Sequence, residues 1–444
     1  MTSAMIIMIV VFVIGYFFIA MEHSFKINKT ATALLLAVAM WTLYVAIGGF
    51  NANEHHEVLI SALGDTAEIL FFLLGAMTIV ETIDQYGGFS IITDRITTKS
   101  KRKLLWVIGI LTFFMSSVLD NLTTAIVMCA LLRKLISEKH DRWFFGGVVI
   151  LAANAGGAWS PIGDVTTIML WIKGNITAVG VIKETFLASL VCLVVPMIGI
   201  SFMLKGQVEK TPQAQTGDSV SPISKLQSKI VLFIGIGFLL FTPVFKTITH
   251  LPPYMGILLG LGVLWVVTEL MNARRPEVYQ RMNIGTIITR VDTPSVLFFL
   301  GILMAVSCLS SAGHLKILAE SLDQLNNFYL TDIIIGLLSS VVDNVPLVAA
   351  AMGMYDIATP DVLATAPELA HLATDGAFWE FLAYCAGTGG SLLIIGSAAG
   401  VAVMGMEKID FIWYLKHVSI WALLGYLAGA GVFVLMSMFL YHTV

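Results

Sequence analysis

The sequence predicts an all-α polytopic membrane protein made of inverted-topology repeats, with about 10 transmembrane spans, two re-entrant helical hairpins and two discontinuous helices. Three observations carry that expectation. Of 444 residues, 57% are hydrophobic and 12% charged, with a mean hydropathy of +0.88, far outside the range of soluble domains. Two stretches, Ser116-Ser117-Val118-Leu119-Asp120-Asn121 and Ser339-Ser340-Val341-Val342-Asp343-Asn344, each place an Asp-Asn pair inside a long apolar segment. An ionisable group at membrane depth is costly and, where it occurs, faces a water-filled path, a relay or an ion site. Behind a formal net charge of -4, Lys and Arg are strongly segregated along the chain, and that segregation reports orientation.

A spanning helix takes about 20 apolar residues. By that measure spans fall near 4–21, 30–50 and 66–83, and an amphipathic piece runs from Gly87 to Thr98. Met5 to Ala20 lacks the basic n-region and cleavage site of a signal peptide, so it reads as a retained first span. Segment 104–132 is too long for one span and has Asp120 at its centre. Basic clusters flank it on both sides, Lys99, Lys101, Arg102 and Lys103 before it and Arg133, Lys134, Lys139 and Arg142 after it. Both flanks then lie in the cytoplasm, and the segment becomes a hairpin with Asp120-Asn121 at its tip. Segment 143–172 is interrupted from Asn154 to Asp164 by Gly156, Gly157, Pro161 and Gly163, which a regular helix does not accommodate. It reads as two half-helices joined by unwound backbone. Residues 185–204 return the chain to the cytoplasm.

Lys205 to Lys229 is polar, with Pro212, Gly217 and Pro222, and forms a linker between a first repeat, 1–204, and a second, 230–444. Spans follow near 230–249, 254–271 and 294–311, then an amphipathic piece near His314 to Leu325. Segment 331–355 holds Asp343-Asn344, and the loop Asp356 to Gly376 after it is acidic without Lys or Arg, so this hairpin enters from the outer face. Segment 377–406 is interrupted at Gly387-Thr388-Gly389-Gly390-Ser391, and a last span covers 418–440.

The halves echo each other. Leu70-Phe71-Phe72-Leu73 matches Leu297-Phe298-Phe299-Leu300, the Asp-Asn pairs match, and Gly156-Gly157 with Gly163 matches Gly389-Gly390 with Gly396, at offsets of 227, 223 and 233 residues. Five spans and a hairpin per half turn the second copy upside down and put both termini on the periplasmic side. That topology places 21 of the 25 Lys and Arg inside, leaving Lys173, Lys183, Lys246 and Lys316 outside. Inverted repeats with discontinuous helices mark secondary transporters, with the site near the midplane.

Asp120, Asp164 and Asp343 fall at membrane depth beside broken backbone. Unwound carbonyls and half-helix ends replace a small cation's hydration shell, and hard cations take oxygen ligands. Asp120, Asn121, Asn154, Asp164, Asp343 and Asn344, with the hydroxyls of Thr123, Thr124, Thr166, Thr167, Thr388 and Ser391, describe a cation (Na+/H+) site. A carboxylate that holds a proton or a metal ion in turn couples the two fluxes. Asp164 has no carboxylate counterpart, since Ser397 stands at the matching position, so Asp120, Asn121, Asn154 and Asp164 form the expected seat of that competition.

Plainer readings exist for each feature. An Asp-Asn pair can cap a helix, as can Asp164, and paired glycines can be close-packing points between helices. Glu54-His55-His56-Glu57 reads as a solvated loop without a rigid frame. Glu68, Glu81, Glu269 and Glu380 lie near span ends, where interfacial solvation is expected. Cys129, Cys192, Cys308 and Cys385 fall in apolar segments and read as core residues rather than a disulfide framework. There is no nucleic-acid patch, no P-loop, no Gly-x-Gly-Asp of an aspartyl protease and no zincin motif, and no cofactor is expected.

Ser117-Val118-Leu119-Asp120-Asn121-Leu122-Thr123-Thr124, the run from Asn154 to Thr167 and Ser340-Val341-Val342-Asp343-Asn344-Val345-Pro346 resemble the NhaD-type sodium/proton antiporters. These belong to the wider ion transporter superfamily of divalent anion symporters and arsenite permeases, and the resemblance runs along essentially the whole chain. It implies a bacterial inner-membrane protein that exports Na+, often Li+, in exchange for H+. It also implies a homodimer in the lipid bilayer working by an elevator-like movement of a transport region against a scaffold. The residues it carries over are Asp120, Asn121, Asn154, Asp164, Thr166, Thr167, Asp343 and Asn344. The anion symporters have Ser-Asn-Thr where this chain has its Asp-Asn pairs, and a carboxylate there repels a dicarboxylate. A metalloid or sodium-coupled organic-acid permease is the second reading.

Overall fold

The structure, a computed structural model, describes residues 3–47, 52–93, 96, 98–208, 223–273, 282–325 and 327–441. Among these the secondary structure is helical, with one isolated bridge between Ser100 and Gln207. In chain order the main helices are α1 (Ser3–Ala20), α2 (Lys29–Ile47), α3 (Ala52–Gln85), α4 (Lys101–Leu119), α5 (Asn121–Leu135), α6 (Lys139–Gly157), α7 (Val165–Lys173) and α8 (Ala178–Met203). After the linker, of which residues 209–222 lie outside the described residues, come α9 (Lys225–Thr249), α10 (Pro253–Asn272), α11 (Thr293–Ser311), α12 (His314–Asp323), α13 (Phe328–Leu338) and α14 (Asn344–Met354). The chain ends with α15 (Ala377–Gly389), α16 (Ala398–Glu407) and α17 (Ser419–Tyr441).

Eight of the described helices are long and apolar enough to cross a membrane, and many large apolar side chains face outward, among them Leu35, Val38, Phe233, Leu270 and Phe439. Exposed hydrophobics in that density belong in lipid. The chain is a multi-pass membrane protein.

Two groups of helices are visible in the packing. One contains α1, α2, α3, α9, α10 and α11. The other contains the hairpins α4–α5 and α13–α14, the broken pairs α6–α7 and α15–α16, and the mutually packed α8 and α17, with α14 also packed against α11 of the first group. Each half of the chain contributes to both groups.

Ion pairs to α6 and α16 hold the two ends of the first hairpin. Lys101 at the start of α4 pairs with Asp141 at the start of α6, and Arg133 near the end of α5 shares Glu407 with Arg142 of α6. Both ends of the hairpin therefore lie at one level, and Asp120 lies at the other. In the second hairpin, Phe328 stacks on His371 and Tyr355 packs against Phe378, so both its ends lie at the start of α15.

Each hairpin locks onto a broken helix through backbone contact. Ser116 Oγ donates to Ala153 O at 2.6 Å, and Ser339 Oγ donates to Ala386 O at 2.9 Å. Gly156 lies against Phe113 O, and Gly389 against Gly336 O, too close for any Cβ. The two broken helices run in opposite directions. Glu407, closing α16, binds the arginines at the base of the first hairpin, while Asn175 O, beyond α7, accepts from Asp375 N–H just before α15.

Four expectations are corrected. The third span is longer than 66–83, because no Gly or Pro interrupts residues 52–63. At 1.5 Å per residue the 34 residues of α3 reach about 51 Å, well beyond a hydrocarbon core of about 30 Å, so His56 and Glu57 sit on a helix rather than a loop. The side chains of Glu54 and His55 lie outside the described residues. The piece Gly87 to Thr98 forms only the short helix Ser90–Thr93, since Gly87 turns left-handed at φ 66°. The helix breaks start later than the glycines suggest, because α6 stays helical through Gly157 and α15 through Gly389. Glycine at a close-packed seam keeps helical φ and ψ, so composition placed the breaks too early. Glu380, expected at a solvated span end, is fully buried beside Gly180 and Asp375.

Candidate functional site

The breaks converge on one carboxylate. Asp164 follows Pro161 and Gly163, takes an extended conformation and caps α7: its Oδ1 accepts from Thr166 N–H and from Thr166 Oγ–H, both at 2.9 Å. Thr167 Oγ1 donates to the Asp164 backbone carbonyl at 2.9 Å. The tips of both hairpins reach the same carboxylate. Asn121, first residue of α5, donates from Nδ2 to Asp164 Oδ2 at 2.6 Å and to Asn154 Oδ1 at 3.2 Å. Asn344, first residue of α14, donates to Asp164 Oδ1 and Oδ2 at 3.3 and 3.4 Å.

Asn154 closes the other side. On the last turn of α6, it donates from Nδ2 to Ser391 Oγ and Ser397 Oγ, both at 2.9 Å. Asn121, Asn154, Asp164, Asn344, Ser391 and Ser397 are all buried. Among the described residues no Lys or Arg pairs with Asp164. The centre is one negative group held directly by the amides of Asn121 and Asn344 and the hydroxyl of Thr166, from the starts of α5, α14 and α7, with Asn154, Ser391 and Ser397 behind them.

The two tip carboxylates stay outside this cage. Asp120 turns back on its own helix, with Oδ1 accepting from Thr123 N–H at 2.8 Å and Oδ2 from Thr123 Oγ–H at 2.7 Å. It lines a narrow cleft with Phe72, Leu73 and Leu239. Asp343 accepts from Val345 N–H and from Lys29 Nζ, both at 3.3 Å. Thr124 Oγ1 is buried without a hydrogen-bond partner among the described residues, and Thr388 Oγ1 donates to Tyr384 O on its own helix. Of the twelve candidate residues, the structure therefore brings Asn121, Asn154, Asp164, Thr166, Asn344 and Ser391 into one side-chain network, with Thr167 joined to it through the Asp164 backbone carbonyl. Among the described residues there is no group of three His, Cys, Asp or Glu placed to share a metal ion.

Two cavities approach from opposite sides. One of about 480 Å³ lies against Asp65, Lys173, Asn175 and Asp356, between the first half of α3 and the C-terminal end of α7. The other, about 400 Å³, is lined by Tyr16, Glu22, Lys29, Asp343 and Val401.

Comparison with known proteins places this arrangement. The family described as "Citrate transporter", CitMHS, matches residues 16–374. Sodium/proton antiporter 2 of Arabidopsis thaliana is 46% identical over 95% of this chain and 97% of its own length. Sodium/proton antiporter 1 of the same plant is 47% identical over 96% and 71%. The Na(+)/H(+) antiporter NhaD of Vibrio cholerae is 30% identical over 97% and 91%. The chain belongs to the NhaD-type antiporters of the citrate transporter family. Members of this family are transporters, and the chain is not an enzyme.

For an NhaD-type chain, two residues escaped the sequence reading. Ser397 receives the amide of Asn154, and its position opposite Asp164 at the 233-residue offset was the available signal. Lys29 meets Asp343 across 314 residues, and no local pattern announces that contact.

Proposed function

We propose that the chain is a secondary active Na+(Li+)/H+ antiporter of a bacterial inner membrane, exporting sodium as protons enter, with cation and proton competing for a buried carboxylate. One observation carries the reading: Asp164, buried and without a basic partner among the described residues, is gripped by the amides of both hairpin tips. A lone buried negative charge attracts a cation and repels an organic anion. Each Asn side chain carries a carbonyl oxygen as well as its amide NH2, so a half-turn of Asn121 and Asn344 exchanges donors for the oxygens a hard cation needs. Thr166, Ser391 and Ser397 supply hydroxyls around the same point.

Alternating access would follow from the two packed groups. In this reading, α4–α8 and α13–α17 carry the site as one body, sliding against α1–α3 and α9–α11 in an elevator-type movement, with a homodimer anchoring the frame. Repeats 1–204 and 230–444, joined by 205–229, form the inverted pair. The matched seams Ser116–Ala153 and Ser339–Ala386 support that division, as do the opposed broken helices. Both termini then lie on the outer face.

The test is dequenching of a pH dye in everted vesicles on addition of Na+, Li+ or K+. Asp164→Asn is expected to abolish the Na+ and Li+ responses while the protein stays in the membrane; retained exchange would sink the assignment. Because the family description names citrate, citrate uptake is the counter-assay. Uptake without sodium-driven proton exchange would move the chain to the organic-acid permeases.

A further inference from the structure

Asp343 is neutralised in a way that Asp120 is not. Lys29 Nζ stands 3.3 Å from Asp343 Oδ2 and 4.2 Å from the centroid of the Phe298 ring. Lys29 begins α2, where its backbone N–H donates to Glu22 Oε1 at 3.2 Å, and α2 packs against α11 in the frame group. Asp343 belongs to the tip of the second hairpin, in the site group, and the next residue, Asn344, holds Asp164. The Lys29–Asp343 pair thus joins the two groups at the residue beside the site. Both side chains are partly accessible, at 25% and 15%, and both line the 400 Å³ cavity.

We propose that Lys29 is a tethered internal cation for Asp343, which the transported cation must displace, so that Lys29 sets the apparent cation affinity at the face where this cavity opens. The proposal rests on the antiport reading above. Two unit charges about 4 Å apart attract measurably even at the dielectric of a protein surface. A cation arriving at the second tip meets an already compensated carboxylate, and its gain is reduced by the attraction it breaks. The aromatic face of Phe298 gives the displaced ammonium a place to remain. Glu22, lining the same cavity, is the other anion within reach of the released amine.

The test compares wild type, Lys29→Gln and Lys29→Arg in everted vesicles, reading the Na+ concentration for half-maximal exchange separately from the maximal rate. Half-saturation does not depend on how much protein folds, so a poorly folding variant lowers only the maximum. Displacement predicts that Lys29→Gln lowers the half-saturating Na+ concentration about five-fold, as for a partly exposed ion pair at its upper range, while Lys29→Arg stays near wild type. Unchanged half-saturation in Lys29→Gln would overturn the proposal. So would complete loss of exchange in Lys29→Gln with normal exchange in Lys29→Arg, since the pair would then be structural. A wild-type protein without sodium-driven exchange would instead refute the antiport reading itself.

Discussion

Asp120 occupies φ 78° and ψ 156°, a region almost confined to glycine, where a side chain costs about 1–3 kcal/mol and persists only if its surroundings over-determine it. Asp343 sits at φ -49° without such strain. Sequence alone makes the two tips equivalent, and at the level of composition they are. What it does not convey is direction: one carboxylate folds back on Thr123, the other meets Lys29, and only the neighbouring asparagines turn inward. Those choices depend on contacts such as Asn344 with Asp164, 180 residues apart, beyond any local pattern. The asparagines therefore carry a prediction. Asn121→Ala removes the 2.6 Å contact to Asp164 and with it the side-chain oxygen that the half-turn offers the ion; at the scale of a bond to a charged group, about 1.5–3 kcal/mol, the loss of that ligand is expected to raise half-saturating Na+ about ten-fold. Asn344→Ala, with contacts of 3.3 and 3.4 Å, is expected to do less. Dye assays on both variants decide it; an unaltered Asn121→Ala would exclude that amide from the ion's path.

At the scale of elements, the hairpins and interruptions were legible because charge and glycine patterns do not depend on long-range contact. The exact ends of the breaks were not, since Gly156 and Gly389 serve the seams between hairpin and broken helix rather than the breaks. A Cβ at either would strike backbone, Phe113 O or Gly336 O, and backbone cannot rotate away. Gly156→Ala and Gly389→Ala are therefore expected to destabilise the purified protein by about 1–3 kcal/mol. Gly237, inside α9 with open space around it, is the contrast: Gly237→Ala is expected to be neutral or to stabilise by up to about 1 kcal/mol. Thermal unfolding in detergent separates the two classes, and equal melting temperatures would mean that the seams tolerate an added methyl. The anchor at the end of α16 belongs here as well. Glu407 is buried with its side chain 1% exposed, and it serves Arg133 and Arg142 together. Glu407→Ala leaves Arg142, among the described residues, with the carbonyls of Ile136 and Ser137 alone and is expected to destabilise by about 1–3 kcal/mol, read by the same unfolding experiment.

For the whole molecule, the ion pairs and the charge count make one joint statement about sidedness. If the basic base of the first hairpin faces the cytoplasm, the loop after the second hairpin must face the opposite side, because the broken helices run in opposite directions between these two ends. Lys139 and Ala364 are exposed at the respective ends. The four native cysteines are buried, so background labelling is low, and replacing them with Ser removes the remainder. A single cysteine at Ala364→Cys is expected to react with a membrane-impermeant maleimide in intact cells, whereas Lys139→Cys reacts only in everted vesicles. The two positions probe the hairpins independently of transport. Labelling of both from the same face would break the opposed entry of the hairpins, and with it the inverted repeat and the elevator movement built on it. Labelling with the two faces exchanged would keep the repeat and reverse the orientation, placing the Lys29–Asp343 cavity on the outer side.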